Sequence, residues 1–345
     1  MGQDGFNAGI TGLGVYLPEK RMTEQDFINA GVPKEYIDMW GVYEHRVSEP
    51  DETPSDMSIK AAKDLIRNTG IDPKKIDLII DSALVPDYVL PGNSHKIQFE
   101  IGAVNAGTID IIPCGGGGAI PSLMIAKALI KTQEYNNVLI TCSSKVTSVT
   151  DKTDWSTIVV PGDAAAAALV TRVDERNGIL ASKIITRGEF NSNAGIKVKE
   201  TLRSKNKGMT YEDNSKKVLF FLNDLELDSS KCQESKLDDF YSQSVCIASK
   251  FALEKLNMMI DDVDFWIIHQ NIEAVCDTWT NKLGITHKNN YYFTNDKYGN
   301  LYNANLLVNL KEAVDKCLIK DNDIIVLTGS IVGFSTGSIV IKWGK

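Results

Sequence analysis

The sequence predicts an α/β fold in which two similar halves each form a βα-rich layer. Three observations carry this expectation. Helical spacing alternates with short apolar runs along most of the chain, as at Ser58–Asn68 and then Ile76–Leu84. A gapless shift of 187 residues lays Ala61–Lys63 on Ala248–Lys250, Asp77–Ile80 on Asp264–Ile267, and Val138–Thr141 on Ile325–Thr328. One offset serving segments about 60 residues apart points to an internal duplication. A break near Val173–Asn177 then divides the chain into residues 1–175 and 176–345.

In chain order, Ala8–Gly14 reads as a first strand, and Thr23–Trp40 as one or two short helices. Ser55 is a plausible N-cap for a helix carrying Ile59, Ala62, Leu65 and Ile66 at helical spacing. Gly70 ends it, Asp72–Pro73 turns, and Ile76–Leu84 is a buried strand. Ile109–Ile112 is a short apolar run that leads to Cys114, four glycines (Gly115–Gly118) and a helix-like segment from Ala119 to Tyr135. A thiol at a helix N-terminus meets unpaired N–H groups and the positive end of the dipole, which favour thiolate. Its pKa is then expected below the roughly 8.5 of a free cysteine. Cys114 thus reads either as a nucleophile or as a buried structural cysteine beside a packing turn.

Further on, Pro161–Gly162–Asp163 and the small residues Ala164–Val170 suit close packing of two layers, a structural role. Arg187–Leu237 is polar except for Val218–Leu222, and reads as an insertion or surface excursion. Phe265–Ile268 is a strand with His269 at its C-terminal end, where α/β sheets meet their ligands. His269 is either functional or a satisfied core histidine. His45, His95 and His287 lie in polar or turn-like contexts and receive no chemistry. Asn300 stands in a loop before a helix at Ala304–Lys316, as a neutral donor or as a simple cap. Ile324–Leu327, a glycine-bearing turn over Thr328–Gly337 and Ser338–Lys342 close the chain, and such a turn can aim a backbone N–H into a site.

Composition narrows the function. The 345 residues are 43% hydrophobic and 24% charged, ordinary for a globular chain of this length. A net charge of −8 argues against a nucleic-acid partner. Six cysteines without short regular spacing suggest neither a disulfide framework nor a metal site. The N-terminus does not read as a signal peptide, and Phe6 spoils a myristoylation motif. No apolar run is long enough for a membrane span. A reducing cytoplasm is the expected compartment, with no membrane partner.

Taken together, these residues resemble the thiolase superfamily, and within it the ketoacyl-ACP synthase III branch of condensing enzymes. The resemblance rests on Gly9–Leu17, Gly41–Arg46 with Asp51–Thr53, Cys114 in its strand–helix turn, and Pro161–Asp163. It continues through His269–Asn271, Tyr298–Asn300, and Gly333–Phe334 with Gly337. It covers nearly the whole chain, and the order and spacing make it specific. It implies a thiolase-like five-layered α-β-α-β-α fold of two duplicated halves, usually a homodimer. The N-terminal half would carry the nucleophilic Cys114 and the C-terminal half His269 and Asn300.

The activity so implied is that of an acyltransferase in fatty-acid-like or specialised polyketide biosynthesis. Cys114 would take an acyl group from an acyl-CoA or acyl-carrier thioester. The backbone N–H groups of Cys114 and Gly333 would hold the oxyanion. His269 and Asn300 would stabilise the enolate of a malonyl thioester during decarboxylative Claisen condensation. No metal or resident cofactor is expected; CoA or phosphopantetheine thioesters are substrates. Only glycines follow Cys114, and Ile331–Val332 precede Gly333 where the family usually has glycines. Leu90 stands near the place where a dimer partner reaches the acyl tunnel. Leu90, Ile331, Val332 and Phe334 are therefore the expected pocket residues, and a longer or unusual acyl chain is expected. The alternatives are acyl transfer to an alcohol or amine, condensation–cyclisation with a β-ketoacyl thioester, and a non-catalytic partner subunit.

Overall fold

The computed structural model describes residues 5–344, apart from 89, 112–116, 151–153, 191–193, 199–217, 223–233, 286–290 and 332–333. The first half runs β1 (Phe6–Tyr16), β2 (Arg21–Thr23), α1 (Glu24–Asn29), α2 (Lys34–Trp40), β3 (Glu44–Arg46), α3 (Pro54–Thr69), β4 (Leu78–Ala83) and α4 (Asn93–Glu100). It continues with β5 (Gly107–Asp110), α5 (Ala119–Lys131), β6 (Asn137–Ser144), α6 (Trp155–Val159) and β7 (Ala164–Asp174). The second half runs β8 (Gly178–Thr186), β9 (Ala194–Val198), β10 (Val218–Leu222), α7 (Glu234–Glu254), β11 (Phe265–Ile268) and α8 (Glu273–Leu283). It ends with α9 (Asn295–Tyr298), α10 (Asn305–Asp315), β12 (Ile324–Ile331) and β13 (Ser335–Lys342).

Two mixed sheets carry the fold, ordered β1-β7-β6-β4-β5 and β8-β13-β12-β11. The four strands of the second repeat, in order, the first four of the first sheet, with β8, β13, β12 and β11 answering to β1, β7, β6 and β4. In the first, Leu78 of β4 faces Val138 of β6 in parallel. In the second, Phe265 of β11 faces Ile325 of β12 in parallel, so both partners are displaced by the same 187 positions. The duplication expected from the sequence is thus present in the hydrogen-bond register.

Five layers follow from which faces are apolar. The inner faces of both sheets enclose α5 and α10, where Ile80, Ile140, Ala168, Ile120 and Leu123 share one core with Leu307, Leu310, Ile267, Leu327 and Ile339. Helix α5 is apolar on nearly every side because it is buried between two sheets. The outer face of the first sheet packs on α3 through Met57, Ala61, Leu65, Ile79, Leu139 and Ala167. The outer face of the second packs on α7 and α8 through Val245, Ala252, Trp266, Trp279, Val326 and Val340. Strands buried on both sides read as unbroken apolar runs, as the fully buried β11 (Phe265–Ile268) shows.

Details differ from the sequence expectation. The cap of α3 is Thr53, in a capping box with Asp56 and with Pro54 at the first helical position. Ser55 lies inside the helix and bonds Asp87 instead. The closing turn is shorter than expected, because β12 extends to Ile331 and β13 begins at Ser335. The polar excursion after Arg187 contains an antiparallel β9–β10 pair. No helix among the described residues is long and apolar enough to cross a membrane.

Gly14 is where β1 meets α3. A Cβ there would lie 2.3 Å from the Ala61 carbonyl oxygen and 2.4 Å from the Leu65 nitrogen, both backbone atoms. Gly14→Ala should therefore force the helix off the sheet and cost about 3 kcal/mol, as overpacked cores do. A urea melt checks this, and an unchanged midpoint would contradict the close approach.

Candidate active site

His269 follows directly from β11, and its backbone N–H donates to the Thr328 carbonyl (2.9 Å), so the adjoining parallel strand fixes it. The imidazole is buried, 3% exposed. Its Nε2 lies 3.0 Å from Asn300 Oδ1. The Tyr302 backbone N–H donates to the same Oδ1 (2.9 Å), which identifies that atom as the amide oxygen. Nε2 must then carry the hydrogen. Nδ1 has no hydrogen-bond partner among the described residues. Burial pushes the His269 pKa down to about 4, against a smaller upward pull from the Asn300 bond. The imidazole is therefore neutral near pH 7 and presents Nε2–H as a donor.

This shift has a stability consequence with a definite sign. The unfolded chain binds the His269 proton below about 6.5, the folded chain only below about 4. Stability therefore rises as pH climbs from 4 to 6.5 and is lost as it falls, by at most about 3 kcal/mol. Urea melts of wild type and His269→Gln at pH 4.5 and 7 should show a larger acid loss in the wild type. Equal losses would place the titration elsewhere.

Asn300 is held by its backbone. Its N–H donates to the Val160 carbonyl (2.7 Å) and its carbonyl accepts from the Gly162 N–H (3.0 Å), so a short β-bridge joins the first half to the second. The approach admits no side chain. A Cβ on Gly162 would sit 2.0 Å from the Tyr298 carbonyl oxygen, and one on Gly299, whose φ is +63°, 2.6 Å from that of Val160. Asp163 anchors the first-half strand end by accepting from the Ser48 N–H (2.9 Å), the Ser48 hydroxyl (2.8 Å), the Thr147 N–H (3.1 Å) and the Thr147 hydroxyl (2.6 Å). From the other side, Glu312 of α10 pairs with Lys297 (2.9 Å) and accepts from Tyr292 (2.8 Å) and Tyr298.

A line of aromatics leads away from this pair. Trp279 lies 6.3 Å from His269 and 5.4 Å from Tyr241, ring centre to ring centre. Tyr241 meets Phe334 edge-on at 6.2 Å, and Phe334 meets Phe190 at 6.1 Å. The Tyr241 hydroxyl accepts from the Asn271 amide (2.6 Å), and burial pushes its phenol pKa up to about 12. Phe334, with φ +56°, is thus clamped between Phe190 and Tyr241 immediately after residues 332–333.

Among the expected site residues, the structure brings His269 and Asn300 together and places Phe334 in this aromatic clamp. Cys114, Val332 and Gly333 lie outside the described residues, as does the side chain of Ile331. Leu90 is 79% exposed on the surface of the chain. His45, taken from sequence for a residue of polar surroundings, is in fact buried against Phe27. Its Nδ1 lies 3.0 Å from the Val159 carbonyl, and its pKa is lowered by that burial. Its role is structural. Among the described residues, no group of three or more His, Cys, Asp or Glu could hold a metal ion.

Two family models match this chain, one described as 3-oxoacyl-[acyl-carrier-protein] synthase III over residues 114–188, the other as its C-terminal part over 253–343. A beta-ketoacyl-[acyl-carrier-protein] synthase III of Caldanaerobacter subterraneus is 30% identical over 343 residues, covering 98% of each chain. The chain belongs to the β-ketoacyl-ACP synthase III family. A synthase III of Staphylococcus aureus is 28% identical over 345 residues, 99% of this chain and all of its own. Among solved structures, the synthase III of Aquifex aeolicus superposes with a TM-score of 0.84 at 25% identity, over 97% of this chain and 100% of its own. This synthase III is accordingly a condensing acyltransferase with the thiolase-like fold.

Sequence reasoning missed several residues that support the synthase site. Tyr241 sits next to a segment that reads only as insertion. Asp163 was assigned to packing, although it also anchors the strand end that holds Asn300. Asn303 and Ser82, bonded to each other, carried no sequence signal.

Proposed function

We propose that this synthase III is acylated on Cys114 by an acyl-CoA or acyl-carrier thioester and then condenses that acyl group with a malonyl thioester, losing CO₂. The observation that carries the second step is the buried His269–Asn300 pair. A neutral imidazole N–H and a carboxamide N–H₂ are donors without charge. They suit the thioester oxygen of an enolate, which gains negative charge as the carboxylate leaves. No proton need be taken from carbon, so no base of matched pKa is needed. In the free enzyme Nε2–H rests on Asn300 Oδ1, and a bound thioester oxygen would replace that acceptor.

In the first step, the Cys114 thiolate attacks the donor thioester carbon and expels the CoA or carrier thiolate. The backbone N–H groups of Cys114 and Gly333 hold the oxyanion. In the second step, the C–CO₂⁻ bond of malonyl breaks, the electron pair passes into the enolate, and the enolate carbon attacks the acyl carbon on Cys114. A new C–C bond forms, and the Cys114 thiolate leaves. The clamp around Phe334 supports its reading as a pocket residue, and Ile331 and Val332, which stand where the family usually has glycines, are the further residues read as selecting the acyl chain.

Further parts of the reading stand on surface and chain features. Leu90 just before α4 and Phe99 within it, 79% and 77% exposed, and the exposed Val104 and Ile109, the last on the edge strand β5, are apolar surface that supports pairing with a second copy. The halves divide at residues 175–176, in the turn from β7 to β8. Cys246, Cys276 and Cys317 form no disulfide among the described residues, in keeping with a cytoplasmic enzyme.

The test is intact-protein mass after exposure to a panel of acyl-CoAs and acyl-carriers, in wild type and Cys114→Ala, before and after adding malonyl thioester. An adduct confined to the wild type, discharged with release of CO₂, is expected. Discharge without CO₂ on adding an alcohol, an amine or a β-ketoacyl thioester would replace the malonyl acceptor. An adduct that persists in Cys114→Ala would overturn the nucleophile.

A further inference from the structure

Asn303 lies three residues beyond Asn300, in the 3-10 turn Tyr302–Ala304, and is fully buried. Its Nδ2 donates to both the carbonyl and the hydroxyl of Ser82, at 3.1 Å each. Its carboxamide lies flat against Gly118. A Cβ built on Gly118 would be 2.8 Å from Cγ of Asn303, 2.9 Å from Oδ1 and 3.1 Å from Nδ2. Oδ1 has no hydrogen-bond partner among the described residues.

Gly118 caps α5, four residues after Cys114, and its φ of −56° and ψ of −29° are ordinary helical values. Any L-residue adopts that backbone, so conformation does not require glycine here. Space does. The end of a side chain can normally swing away from a new methyl group, but this one is tied to Ser82 at two points and has no solvent to move into. The unpaired Oδ1 also lies beside the first turn of a helix, where backbone N–H groups lack partners.

We propose that Asn303 is a positioning residue for the nucleophile. Its carboxamide, pinned to Ser82, seats the start of α5, the helix that follows Cys114 in the chain, and the same short segment carries Asn300. One short turn thus carries both the enolate donor and the gauge that spaces it from the thiol. The role rests on the reading of Cys114 as nucleophile.

The experiment is a double-mutant cycle on the full chain with Gly118→Ala, Asn303→Ala and both together. Three readouts are taken: the rate of Cys114 alkylation by iodoacetamide across pH, with Cys114→Ala as blank, single-turnover acylation by the acyl-CoA best accepted, and the melting temperature. Gly118→Ala should slow alkylation and acylation at least tenfold. Asn303→Ala should shift the alkylation pH profile and slow acylation several-fold. The double variant should react within about threefold of Asn303→Ala alone, because the methyl group then has room. Losses that multiply in the double variant, or an unchanged pH profile in Asn303→Ala, would overturn the positioning role. If Gly118→Ala fails to fold, the alkylation pH profile and the acylation rate of Asn303→Ala still decide the role. If alkylation and acylation of the wild type match the Cys114→Ala blank, the nucleophile reading falls and this role falls with it.

Discussion

Asn300→Ala is expected to lower condensation by about 10³-fold while acylation of Cys114 stays within about tenfold of wild type. The separation follows from chemistry. In the proposed mechanism, acylation develops its negative charge on the donor thioester oxygen, assigned to backbone N–H groups, whereas condensation develops it on the extender oxygen, assigned to the His269–Asn300 pair. Removing the carboxamide also strips His269 Nε2–H of its resting acceptor, so His269→Ala should show the same split. Rapid-quench measurement of the acyl-enzyme, beside CO₂ release, reads the two steps separately. If condensation survives in both variants, the enolate role belongs to other groups.

A comparable loss is expected at a position that touches no substrate. Gly162→Ala places a methyl carbon 2.0 Å from the Tyr298 carbonyl oxygen and 3.0 Å from a Leu301 methyl. The bridge that fixes the Asn300 backbone must then open. Displacing a catalytic group by about 1 Å costs on the order of 10²-fold, so condensation should fall at least that far. Acylation should fall less, since the strand end altered here carries Asn300. Gly299→Ala is expected to act in the same direction through its left-handed backbone and its approach to Val160. Wild-type condensation in Gly162→Ala would show that the bridge does not set the Asn300 geometry.

Much of this was legible in the sequence because it follows from periodicity. The duplication appeared as a constant offset, since equivalent strands keep their length between the same turns. His269 was legible because a polar residue directly after an apolar strand stands at the sheet end. Asn300 had only a loop signal, and its part in the site came from resemblance. The supports were illegible for a different reason. Ser82 and Asn303 are 221 positions apart, and Asp163 and Ser48 115. No local pattern records which hydroxyl a carboxamide will meet across two layers. The Ser55 cap failed because Thr53 and Asp56 satisfy the helix start two residues earlier. The aromatic clamp was missed because Tyr241 and Phe334 meet only when α7 folds back on the closing hairpin.

The matched register of the two sheets places Ser82 of β4 at the position that His269 holds after β11. When the two copies were identical, one residue type filled both places. Today one copy donates a hydrogen bond to Asn300, and the other receives two from Asn303, through a turn only four residues long. The His269–Asn300 pair is therefore a product of divergence between duplicates, which had to become unlike at this pair of sites.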